Sequence, residues 1–161
     1  MSRISFWQSL RENGGLLTWK GRIKRSRFFI VNFVINMCYE VLDFFMGRMD
    51  RLVENTDELT AFAFAVGILV LLALFIMVDF FNISKRFHDI GHPTVYAAVF
   101  MFIIVALEYS VGMFFPPESF VYENSSLLTI PVIIYLIFKK GVAGPNQYGQ
   151  DPLASKDEEF V

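Results

Sequence analysis

AFAFAVGILVLLALFIMVDFF, Ala61–Phe81, contains one charged residue, Asp79, and no proline. Wound as an α-helix at 1.5 Å per residue it measures ~30 Å, the thickness of the hydrocarbon core of a bilayer. A helix in a soluble domain keeps its apolar residues on one stripe, whereas here they run all the way round. The stretch therefore reads as a membrane-spanning helix, and the rest of the chain has to be read beside it.

Two neighbours share its length and character, Phe28–Met46 and Val95–Phe115. A fourth run, Leu127–Phe138, is short; carried back to Phe120 it reaches spanning length by taking in Glu123, Asn124, Ser125 and Ser126. Pro131 lies inside it and predicts a kink, because proline removes a backbone donor and crowds the preceding turn. Composition agrees with a membrane protein. The chain is 55% hydrophobic and 19% charged, with 19 Phe, against ~45–50% apolar residues in soluble domains. Its 161 residues suit one domain. A net charge of -2 gives no pull toward nucleic acid, and the single cysteine, Cys38, rules out an intrachain disulfide.

The basic residues orient the spans. Twelve of the 14 Lys and Arg fall before the first run, between the second and third, or after the fourth. Arg48 and Arg51 lie on the other side, among Asp50, Glu54, Asp57, Glu58, Glu118 and Glu123. Basic loops stay in the cytoplasm, so both termini are expected there. The expectation is an all-α integral membrane protein, a four-transmembrane-helix bundle with spans 28–46, 61–81, 95–115 and 120–138. Residues 1–27 form a cytoplasmic lead and residues 139–161 a cytoplasmic tail. No cleavable signal is read ahead of Phe28. Within the lead, SFWQSLRENGG predicts a short interfacial amphipathic helix: Ser5 and Gln8 fit a capping box, and Phe6, Trp7 and Leu10 suit the headgroup layer.

SKRFHDIGHP, Ser84–Pro93, then falls on the cytoplasmic side between the second and third spans. Lys85 and Arg86 serve as anchors there, and Gly91 and Pro93 make the turn. A metal reading would use His88, Asp89 and His92, but no Cys or further His completes a shell, so neither metal nor cofactor is expected.

GRIKRSRFF (Gly21–Phe29), RFHDIG (Arg86–Gly91) and GVAGPNQYGQDP (Gly141–Pro152) resemble, in this order, the three signature blocks of a family of small bacterial inner-membrane proteins, the domain of unknown function numbered 805. The resemblance runs from Leu16 to Pro152. It departs from the family pattern at HPTVYAAV, where a Ser-Gly-Trp-Trp-like opening is usual, at Gln147 for Arg and at Gln150 for Pro. It implies a membrane fold in the bacterial inner membrane and no particular activity.

The topology puts all three blocks on one face, so Arg22, Arg25, Arg86, His88, Asp89, Asn146, Tyr148 and Asp151 are expected to converge under the bundle. One reading is a structural clasp in which Asp89 and Asp151 pair with arginines. The other is a site for an anionic group such as a phospholipid headgroup, which arginine forks suit. A second set, Asn32, Asn36, Glu40 and Asp43, falls on one narrow stripe of the first span, and a carboxylate there costs too much to offer to lipid. Glu108 reaches a similar depth, while Asp79 lies lower, with Arg86 as a candidate partner. The stripe serves either helix packing or a proton or solute path. Nothing resembles a nucleophile elbow or a phosphate loop, so an enzyme is not expected; the low-ranking alternative is a membrane enzyme without a recognisable motif. The favoured function is a non-catalytic module binding membrane lipids or a membrane partner, another protein or a further copy. A small transporter or channel component built on the intramembrane carboxylates comes next, then an immunity or regulatory protein for another membrane protein.

Overall fold

The computed structural model describes residues 15–48, 56–116 and 118–153. Its elements are α1 (Arg25–Met46), α2 (Glu58–Ile90), α3 (Val95–Phe114), the single turn α4 (Phe120–Glu123), a 3₁₀ turn at Ser125–Thr129, and α5 (Ile130–Phe138). Among the described residues there is no strand, only one bridge between Asn146 and Gly149. α2 packs against both α1 and α3, α5 lies on α1, and the 3₁₀ turn lies against α3 and α5. The expected helix over residues 5–14 and the tail beyond residue 153 lie outside the described residues.

Three of these helices, α1, α2 and α3, are long and apolar enough to cross a membrane. Their outward faces are apolar too: Phe62, Leu69, Phe102 and Phe114 are all exposed. A surface of that kind is untenable in water and is the natural boundary with lipid.

α2 decides where the site lies. Its 33 residues make a rod of ~50 Å, well beyond the ~30 Å of a hydrocarbon core. None of its most apolar window is buried, yet every residue from Phe81 to Ile90 is. The upper helix carries the apolar surface that a bilayer would cover, and its last turns run into a protein base. That base is the core: Ile23, Phe28, Ile83, Phe87, Ile90, Ala97, Phe100 and Leu136 pack together. At the top, the Asp57 side chain caps the helix by accepting from the Thr60 amide at 3.1 Å. At the bottom, Gly91 ends it at φ 95°. There the Gly91 amide donates to the His88 carbonyl at 3.1 Å and the His92 amide to Phe87 at 2.9 Å. A left-handed glycine closing a helix in this way leaves few stray carbonyls.

Two expectations change here. Lys85–Asp89 is helix, and Lys85 and Arg86 are buried rather than exposed anchors; only Gly91–Thr94 makes the turn. In the fourth run Pro131 does not kink a helix. It sits in the first turn of α5, where its missing N–H has no partner to lose. The interruption falls earlier, at the 3₁₀ turn, where the Asn124 side chain donates back to the Phe120 carbonyl at 2.8 Å.

Candidate functional site

Asp89 is the centre of the base. It lies one helical turn after Arg86 on α2, so their side chains meet at i, i+3. Arg22 reaches it from the extended segment before α1, which bends at Gly21 with φ 96°. Arg22 donates from Nε at 3.2 Å and from Nη2 at 3.1 Å to Oδ1, and Arg86 donates from Nη1 to Oδ2. All three residues are buried.

The remaining guanidinium donors hold the C-terminal segment. Arg22 reaches the carbonyls of Gly144 at 2.6 Å and Val142 at 2.5 Å. Arg86 reaches Leu136 at 2.6 Å through Nε and Lys139 through Nη2. The backbone closes the joint, because the Val142 amide donates to the Asp89 carbonyl at 2.8 Å. A Cβ on Gly141 would stand under 3.0 Å from the carboxylate carbon and both oxygens of Asp89. Glycine is required there by proximity, not by backbone angle.

His88 is fully engaged. Its Nδ1 lies 3.1 Å from the Gly21 carbonyl, so that nitrogen carries the proton; Nε2, 2.8 Å from Thr94 Oγ, accepts. Ser84 donates in turn to Thr94 at 3.0 Å. The imidazole stacks on Tyr148 with centroids 3.9 Å apart. Asn146 donates to the His88 carbonyl at 3.0 Å and accepts from the Tyr148 amide at 2.9 Å. Among the described residues Asp151 forms an ion pair with no arginine. It accepts instead from the backbone amides of Gly144 at 2.9 Å and Leu153 at 2.8 Å.

The electrostatics follow from burial. Desolvation pushes the Asp89 carboxyl up, opposed by Arg86 and Arg22. It pushes His88 below its ordinary value, favouring the neutral ring that the hydrogen bonds require. The backbone amide of Leu153 holds Asp151 below the usual carboxylate range. Burial, with Arg27 nearby, pushes Lys85 down to about 8, and its Nζ donates to the Gly15 carbonyl.

The three sequence blocks therefore do converge, and seven of the eight base residues form a clasp. Arg25 is the exception. It is exposed and makes one long bond, 3.5 Å, to the Phe138 carbonyl. With Lys24 and Lys140 it lines a groove of about 690 Å³ beside the clasp, walled by Phe29, Ile137 and Phe138 and bordered by Asp89 and Asp151. Lys24 and Lys140 were not among the residues singled out from the sequence, where they only add to the basic count. The clasp's main acceptors, the carbonyls of Leu136, Lys139, Val142 and Gly144, have no signature in side-chain identity.

The membrane set is arranged differently from expectation. Asn36, Glu40 and Asp43 face outward and are exposed, as is Glu108; only Asn32 is half-buried. Asn36 donates to the Asn32 carbonyl at 2.8 Å. Arg48 stacks on Phe44 and does not cap Asp43, and Arg51 lies outside the described residues. The Asp79–Arg86 pair is absent because Arg86 is committed to Asp89.

Residues 16–150 match the family described as Protein of unknown function (DUF805), and the chain belongs to that family. No curated protein and no solved structure matches it.

Proposed function

For this member of a family without an assigned activity, we propose a multi-pass protein of the bacterial inner membrane, with four spans and both termini cytoplasmic, that binds an anionic lipid headgroup at its cytoplasmic face without catalysis. The binding surface is the groove of Lys24, Arg25 and Lys140, not the clasp. Every nitrogen of the Arg22 and Arg86 guanidiniums already donates to Asp89 or to a backbone carbonyl, and both side chains are buried, so neither is open to phosphate. The observation that supports the reading is three exposed cations around one largely apolar groove, whose two carboxylates, Asp89 and Asp151, are already engaged by the clasp arginines and by backbone amides. Cations beside exposed aromatic residues at the end of a span suit a headgroup with its acyl chains, and the inner leaflet supplies negative charge.

The test is native mass spectrometry of the purified protein with phosphatidylglycerol and phosphatidylcholine. The wild type should retain the anionic lipid preferentially. Joint replacement of Lys24, Arg25 and Lys140 by Gln should abolish that preference while the clasp remains closed. Equal retention by wild type and variant would refute the assignment.

A further inference from the structure

Asp79 stands on α2 six residues before Lys85, ~9 Å further into the apolar helix by its rise. Its Oδ1 is buried and has no hydrogen-bond partner. Among the described residues both ion pairs seen belong to Asp89, and none involves Asp79. On α1 the Asn32 amide is in reach of it and Tyr39 stands nearby. On its own helix the polar neighbours are turned elsewhere: Asn82 to the Phe28 carbonyl at 3.4 Å, Lys85 to Gly15 and Arg86 to Asp89. α3 contributes one charged residue, Glu108, which is exposed, and two tyrosines, Tyr96 and Tyr109, both exposed.

Asp79 is half-buried as a residue, but a carboxylate with one oxygen buried and lacking any donor is costly to hold, and it is relieved by a bound cation or by a proton. No second carboxylate or histidine stands beside it to make a metal shell; among the described residues no such group of three occurs. We propose that Asp79 is an intramembrane proton-binding site that takes up its proton in the mildly acid range. The added proton bonds to one carboxylate oxygen and cancels the charge, leaving the other oxygen to the Asn32 amide. The site does not stand alone. Asn32 begins the polar stripe that continues through Asn36 to the exposed Glu40 and Asp43, toward the far end of α1. This inference is independent of the lipid groove, since none of its residues lines that groove.

The test is labelling of the full chain in liposomes with N,N′-dicyclohexylcarbodiimide. The reagent takes only the protonated acid: the carboxyl oxygen adds to the carbodiimide carbon and the carboxyl proton passes to its nitrogen. Peptide mass spectrometry should find the adduct at Asp79, declining as pH is raised and unaffected by sodium at constant pH. At pH 5 a protonated-carboxyl infrared band should be present in the wild type and missing from Asp79→Asn, which should keep its thermal midpoint there because an amide is nearly isosteric with the neutral acid. Absence of that band would overturn the proposal whether or not the reagent reaches the site. So would labelling suppressed by sodium, which would make the site one for a cation, or loss of folding in Asp79→Asn.

Discussion

Replacing Asp89 by Asn tests the clasp at its centre. The side chain keeps its shape, but its charge is gone and its new amide faces the Arg86 guanidinium donor to donor. At the 3.1 Å separation of Arg22 and Asp89, an effective dielectric of ~20 gives ~5 kcal/mol of attraction for one pair. Desolvation of the three groups offsets part of this in the native protein. The loss on removing one partner is nevertheless large, ~3–5 kcal/mol, because two buried guanidiniums are left without a counter-charge. Their backbone acceptors, the carbonyls of Leu136, Val142 and Gly144, place the effect toward the lower end of that range. The reporter is the Val142 amide, which donates to the Asp89 carbonyl. At ~1.4 kcal/mol per decade, its hydrogen-exchange protection should fall ~150- to ~5,000-fold, or to the unprotected limit, in detergent micelles. Amides in the middle of α3 should be unchanged. Val142 protection within ~threefold of wild type would refute the reasoning, since it would mean that the segment closes without the ion pairs.

Gly141→Ala forces a methyl group into the Asp89 carboxylate and should cost ~1–3 kcal/mol, the usual price of overpacking. It should lower Val142 protection although no charge is removed, and a protection factor equal to wild type would show that the carboxylate can move aside. Acidification should open the clasp through His88. Its native value lies below the ordinary 6.5, so its contribution is complete above pH 6.5 and is lost as pH falls below it, at no more than ~1.4 kcal/mol per pH unit for one proton. Burial of Asp89 acts in the opposite sense, so the His88 component is read as the difference from His88→Gln, which should lack the loss. Identical pH profiles for the two proteins would count against a buried neutral imidazole.

The spans were legible because a bilayer imposes a length, and Phe28–Met46, Ala61–Phe81 and Val95–Phe115 meet it with little charge. The continuation of α2 to Ile90 was not, because hydropathy reads Asn82–Asp89 as a polar loop. What keeps those turns helical is distant in sequence: Arg22 and Gly21 from one side, Leu136–Asn146 from the other. Arg86, His88 and Asp89 meet partners there, and Asn82, Ser84 and Lys85 meet Phe28, Thr94 and Gly15, so burial favours the helix where composition alone would end it. The convergence of the three blocks was legible from topology and charge. Which arginine stayed open was not, because that depends on chain direction. Arg22 lies before α1 on a strand-like lead bent at Gly21 and points beneath α2. Arg25, three residues on, has entered the helix and turned to its outer face. Three residues thus separate a guanidinium that holds the protein together from one that is offered to whatever fills the groove.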